Sequence, residues 1–258
     1  MIVELFGPPG VGKTTFASAL TAALRERGVR VDPVMSYRPA ELHRGARQSF
    51  ASVRRLVRPV AEVVHTTGNM LAGSQDAEAT AALFRLLPTK NLMWAIRLRQ
   101  YTLRLFHSWR IAEASEGVVI FDQAWIQAVC SLALLGRAPD RRRVRLALDM
   151  VPEADLLVSL HAPQESLAAR LRQRQRDQGR LEQLLELDLD TNLASLGIIS
   201  DLLELLEQRG VPVVRVGSAD PDTLRTGVAH VVDHVLAQAG PPRRQATEQK
   251  RRQEEARS

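Results

Sequence analysis

Gly7-Pro8-Pro9-Gly10-Val11-Gly12-Lys13-Thr14 is a complete G-x-x-x-x-G-K-[ST] stretch, and its setting decides the fold. Ile2 to Phe6 before it is a short apolar run suited to a buried strand, and Thr14 to Arg27 after it carries helical periodicity. Strand, loop and helix thus follow in the order that a phosphate-cradling loop requires. Glycines 7, 10 and 12 let the backbone turn its N–H groups inward, and the helix start adds favourable potential for an anion. A bare connecting turn has no need of a Lys-Thr pair at this spacing. Gly7, Pro8, Pro9, Gly10, Val11, Gly12, Lys13, Thr14 and Thr15 are therefore expected to bind the phosphates of ATP. Lys13 is expected to reach the β- and γ-phosphates, and the Thr14 hydroxyl to ligate Mg²⁺.

The rest of the chain reads as alternating strands and helices. Gly28 is a helix stop, and Val29 to Met35 a second strand; Gly117 to Phe121, Leu156 to Leu160 and Val211 to Val216 are further strands. Helices are expected over Gln164 to Gln178, Leu181 to Gln208 and Pro221 to Gln238. Five short apolar strands alternating with helices predict a three-layer α/β/α sandwich on a five-stranded parallel sheet. Residues 36–116 between the second and third strands read as a helical insertion, with start signals at Ser74-Gln75-Asp76 and at Pro88-Thr89. An insertion at the carboxyl end of a strand is placed to hold a second ligand, the phosphoryl acceptor. The expected division is one domain over residues 1–239 and a charged, disordered tail over 240–258.

The third strand, Gly117-Val118-Val119-Ile120-Phe121, ends in Asp122. An apolar strand closing on a carboxylate is the Walker B pattern, and Asp122 is expected to hold Mg²⁺ or to orient the nucleophile. The plainer alternative is an Asp that caps a helix starting near Ala124.

Composition narrows the function. The formal net charge is +6, and the excess is arginine, with lysines only at positions 13, 90 and 250. Arginine suits bidentate phosphate contacts. Aromatics make up 4% of the chain, with no basic-aromatic run to stack bases, which argues against nucleic acid. No run of eighteen apolar residues and no basic leader are seen, so a cytoplasmic protein off the membrane is expected. Cys130, the single cysteine, is expected in the core. The histidines at 43, 65, 107, 161, 230 and 234 show no zinc-type spacing, and His230 and His234 read as solvent or core residues. Trp94, Tyr101, Phe106 and Trp109 lie on one helical segment, for packing or for stacking on a base. Arg141, Arg142, Arg143 and Arg145 read as a solvated face. Glu4 and Asp32 are unusual in buried strands, and either is a candidate base near the acceptor.

Asp155-Leu156-Leu157-Val158-Ser159-Leu160-His161-Ala162-Pro163, followed by Glu165, Leu167, Arg170 and Arg174, resembles the thymidylate kinase and deoxynucleoside kinase group of phosphate-loop kinases. There the fourth strand runs into a Pro-containing turn and an arginine-bearing lid helix. The resemblance implies a lid over 163–185 in which Arg170 and Arg174 close on the triphosphate and stabilise the moving group, with Arg172, Arg176 and Arg180 as further candidates. It implies that Arg38, in Tyr37-Arg38-Pro39, and Arg97 or Arg99 meet the acceptor. It also implies that Val216-Gly217-Ser218-Ala219-Asp220 packs on adenine. The implied activity is ATP- and Mg²⁺-dependent transfer to a nucleoside, nucleoside monophosphate or similar hydroxyl metabolite. A second copy of the chain is a candidate partner. The pattern departs from both families at Asp122-Gln123, where they carry Asp-Arg or Glu-Arg, so the acceptor does not transfer with the fold. An ATPase or a nucleotide-dependent regulator of a protein partner is the alternative reading.

Overall fold

The computed structural model describes residues 1–35, 75–136, 140–177 and 188–239. In chain order these form β1 (Ile2–Phe6), α1 (Lys13–Glu26), β2 (Val31–Val34), α2 (Gln75–Leu86), α3 (Leu92–Glu113), β3 (Val118–Phe121), α4 (Trp125–Leu134), α5 (Arg141–Met150), β4 (Leu156–His161), α6 (Gln164–Asp177), α7 (Leu189–Gln208), β5 (Val213–Gly217) and α8 (Pro221–Ala239). The five strands make one sheet of order β2-β3-β1-β4-β5, and every pair is parallel.

Alternation along the strands divides the core in two. Val3, Leu5, Val118, Ile120, Leu156, Val158 and Leu160 face a layer containing α1 and α8. Ile2, Phe6, Val119, Phe121 and Leu157 face the opposite layer, with Trp109 of α3, Trp125 of α4 and Leu202 of α7. Both faces of the sheet are therefore covered, which is why the strands read as continuous apolar runs. Each such fully buried large side chain contributes roughly 1.5–3 kcal/mol. Gly227 sets the closest approach of α8 to the sheet, since a Cβ there would lie 2.0 Å from Cγ1 of Val216.

The chain leaves β1 toward β2 on one side of the sheet and leaves β3 toward β4 on the other. The crevice between the carboxyl ends of β1 and β3 is thus the point where the connections diverge, and α/β sheets hold ligands at such a point.

Several boundaries differ from the sequence expectation. β2 is four residues long and is an edge strand, which tolerates Pro33 and leaves Asp32 exposed. Asp32 is accordingly not a buried carboxylate poised as a base. α3 starts at Leu92 rather than at Thr89, because the Asn91 side chain accepts a 2.8 Å bond from the Met93 amide. α7 is described from Leu189, where Asp188 accepts from the Thr191 amide at 2.7 Å and its own pKa is lowered by that bond. Residues 181–187, expected to be helical, lie outside the described residues. So do residues 36–74 of the insertion, residues 178–185 of the lid and the tail.

The other minor expectations find definite places. Cys130 is buried and burial pushes its thiol up to about 12, so it is an inert core group. Phe106 and Trp109 pack on Trp125 at centroid separations of 4.4 and 6.5 Å. The basic run opens α5, where Arg141 pairs with Glu204 of α7 at 2.8 Å while both remain exposed. Such a pair contributes about 0–1 kcal/mol. The rings of His230 and His234 meet edge-on at 4.6 Å. Among the described residues no group of three or more His, Cys, Asp or Glu could hold a metal, and no helix is long and apolar enough to cross a membrane.

Candidate functional site

Gly7 leaves β1 at φ 153°, and a Cβ at this position would lie 2.5 Å from the Leu160 carbonyl oxygen. Only glycine lets the chain turn here against β4. The loop closes on Gly12, which caps α1 in the left-handed conformation without a side-chain hydrogen bond. The first-turn amides of α1 therefore face the loop rather than a capping oxygen, as anion binding at a helix N-terminus requires. Lys13 is 7% exposed and donates to the carbonyls of Gly7 and Pro8 at 2.7 and 3.2 Å. Its ammonium is thus held inside the curve of the loop.

Asp122, fully buried at the end of β3, accepts a 2.9 Å hydrogen bond from the Thr14 hydroxyl. Two motifs 108 residues apart meet in the crevice between β1 and β3. The helix α4 that follows opens on Ala124, two residues beyond Asp122, with no cap from the Ala124 side chain. A threonine hydroxyl and a carboxylate side by side, next to a buried ammonium and a ring of amides, fit the donor set for Mg²⁺ and a polyphosphate.

The loop is also braced from outside. Ser218, buried in the β5–α8 connection, donates to the Val11 carbonyl at 2.7 Å and to the His161 carbonyl at 3.3 Å. Arg170 on α6 donates to the Gly10 carbonyl at 3.4 Å and to those of Ser218 and Ala219 at 2.9 and 2.7 Å. The sequence had marked this arginine as a charge for the moving phosphoryl group; the structure gives it a bracing position, joining the phosphate loop to the β5–α8 connection. That connection contains the segment compared with an adenine-binding loop, and its Asp220 caps α8 by accepting from Thr223 and Asp222 amides.

The other expected residues fall differently. Arg174 lies on α6 four positions beyond Arg170 and is half-buried, while Arg172 and Arg176 are exposed. Arg97 on α3 is exposed and stacks over Trp94 with its guanidinium carbon 5.0 Å from the ring centroid. Arg38 and Arg180 lie outside the described residues.

Three more polar groups lie at the site: Gln127, which pattern reading missed, and Tyr101 and Glu4, which it named as a packing or stacking residue and a candidate base but without their partners. The Gln127 side-chain oxygen accepts from the Gly7 amide at 3.4 Å. Tyr101, on α3, donates to the Ala124 carbonyl at 3.4 Å. Its pKa is raised by burial, then by the charges of Glu4 and Asp122. Glu4, in the middle of β1, is buried and accepts a 2.6 Å bond from the Ile126 amide. Desolvation raises its carboxyl to about 8, against the pull of the Ile126, Trp125 and Gln127 amides.

The parallel five-stranded sheet, covered by helices on both faces and with the Gly7–Thr14 loop at its divergence point, places the chain in the α/β three-layer class. No family model and no curated protein matches the sequence. Among solved structures it is similar to a deoxyadenosine kinase from M. mycoides, solved with the products dCMP and a flexible dCDP bound. The identity is 13% and the TM-score 0.49, over 92% of this chain and 100% of that one. A likeness at that level says nothing of the reaction.

Proposed function

We propose that this chain is a phosphotransferase that moves the γ-phosphoryl group of ATP to a small acceptor, a nucleoside, a nucleoside monophosphate or a similar hydroxyl metabolite. The observation that carries the reading is the 2.9 Å contact of Thr14 with Asp122 beside the buried Lys13. Lys13 and the α1 amides hold the β- and γ-phosphates, and Thr14 and Asp122 hold Mg²⁺, which when bound neutralises charge on the phosphate oxygens. Thr15 lies in the same first turn and adds an amide. Arg174, one turn beyond Arg170 on α6, is the candidate guanidinium for the moving phosphoryl group, and Arg170 holds the loop in shape. Arg38 and Arg97 are the candidate acceptor contacts. Phosphoryl transfer needs little covalent help from protein groups, so positioning and charge supply most of the rate.

The test is ADP release from Mg·ATP by the purified protein across nucleosides, nucleoside monophosphates, sugars and other polyols, with Lys13→Ala as control. Strong stimulation by one acceptor class, lost in Lys13→Ala with the fold intact, supports the reading. Slow turnover indifferent to every acceptor would replace it with an ATPase or a nucleotide-dependent regulator. Full turnover by Lys13→Ala would remove the phosphate loop from the mechanism.

A further inference from the structure

α4 begins on Ala124 and carries no cap of its own, so its first amides need an acceptor from elsewhere. That acceptor comes from the neighbouring strand. Glu4 reaches out of β1 and takes the Ile126 amide at 2.6 Å, with the amides of Trp125 and Gln127 also directed at its carboxyl. A glutamate in the central strand of a parallel sheet is costly to bury, and an apolar residue would serve packing better. Its value lies in what it fixes.

The segment it pins runs from Phe121 to Gln127. At one end Asp122 meets Thr14, and at the other Gln127 meets the Gly7 amide at 3.4 Å. Tyr101 holds the middle of the segment through the Ala124 carbonyl. Glu4 lies on β1, two residues before the phosphate loop leaves the strand at Phe6, and Glu4 pairs in register with Phe121 of β3. The same side chain therefore ties the strand that launches the phosphate loop to the turn that delivers the carboxylate.

Resting on the phosphotransferase reading above, we infer that Glu4 is a positioning residue, a cap supplied across the sheet that holds the β3–α4 turn so that Asp122 stays against Thr14. It touches neither nucleotide nor metal and acts through Asp122.

The experiment measures ADP binding by calorimetry over a range of Mg²⁺ concentrations, with thermal melts on each variant. Glu4→Met keeps the length of the side chain and removes the acceptor; Glu4→Leu serves as the second apolar variant if Glu4→Met does not fold. Either is expected to raise the Mg²⁺ concentration for half-maximal tightening about tenfold or more, the scale on which removal of a ligand's supporting partner acts. Metal-free ADP binding is expected to stay unchanged. Glu4→Gln, which retains a carbonyl oxygen toward Ile126, is expected to restore the wild-type requirement to within about threefold. In an Asp122→Asn background the Glu4 substitutions should add little, because the group they position is gone.

A purely structural Glu4 would give a different pattern: equal losses with and without Mg²⁺, no rescue by Gln, and full additivity with Asp122→Asn. That result overturns the inference and leaves the phosphotransferase reading standing. A wild-type protein whose ADP binding ignores Mg²⁺ would instead overturn the site itself, and the inference with it.

Discussion

The Ser218 hydroxyl donates a 2.7 Å hydrogen bond to the Val11 carbonyl, 207 positions away in the chain. It ties the far end of the sheet to the crown of the phosphate loop, in a place where both groups are shielded from water. Ser218→Ala leaves a buried carbonyl without this donor, which costs about 1–3 kcal/mol. The expected outcome is a lower melting temperature together with weaker nucleotide binding, measured by thermal denaturation and calorimetry. A loss of stability with unchanged nucleotide affinity would mean that the loop keeps its shape without the serine.

Arg170 braces the same region with three carbonyl contacts, to Gly10, Ser218 and Ala219. A guanidinium can span them because its donors are fixed in a plane, whereas an ammonium is a point charge. Arg170→Lys should therefore behave much like Arg170→Ala, with nucleotide affinity falling about tenfold in each. A lysine variant with wild-type affinity would show that charge near the loop matters and bracing does not.

Gly227 offers a check on the packing of α8 against the sheet. Alanine gains about 1 kcal/mol of helix propensity over glycine, but its Cβ would lie 2.0 Å from Val216 Cγ1 in a position where Val216 is 2% exposed. Overpacking of this kind costs about 1–3 kcal/mol or more, so the clash outweighs the propensity. Gly227→Ala should melt lower than wild type, and Val216→Ala in the same chain should recover part of the loss. Thermal denaturation of the single and double variants settles the point.

Much of this architecture could be read from local pattern. Ile2 to Phe6, Val118 to Phe121 and Leu156 to Leu160 are apolar runs because both faces of a parallel strand are buried, and Pro221 announces α8 by its preference for a first turn. Lys13 and Thr14 stand out as candidates because the Gly7–Thr14 spacing is one that little else demands, and Asp122 because it closes an apolar strand; the structure brings Thr14 and Asp122 to 2.9 Å. What escaped was everything that depends on register between distant strands. Nothing local in Val3-Glu4-Leu5 reveals that Glu4 faces the first turn of α4, 122 positions on. Arg170 announced its charge but not its partners, since the carbonyls it holds come from loops 160 and 48 residues away. Boundary errors have the same origin. Asn91 displaced Thr89 as a cap, and β2 shrank to an edge strand, because these ends are settled by which hydrogen bonds the neighbours leave open.

The buried carboxyl of Glu4 makes stability depend on pH in a direction opposite to that of an ordinary paired carboxylate. Its pKa is about 8 in the folded protein against 4.5 for an unperturbed glutamate, so between these values the folded state holds a proton that the unfolded chain has released. Stability contributed by that proton is fully present below pH 4.5 and is lost progressively as pH rises to about 8. The total is of the order of a few kcal/mol, since one pKa unit corresponds to about 1.4 kcal/mol. Tyr101, the neighbour whose own pKa is raised, stays protonated across this window, as does Cys130. Glu4→Gln carries no titrating group at this position and keeps the carbonyl oxygen toward Ile126. The difference in unfolding free energy, wild type minus Glu4→Gln, should therefore fall steadily between pH 5 and 8 in urea titrations. A difference that stays flat from about pH 5 to 8 would mean that the folded carboxyl is ionised throughout that range, and one that rises between about pH 3 and 5 would mean that the α4 amides hold Glu4 ionised despite its burial.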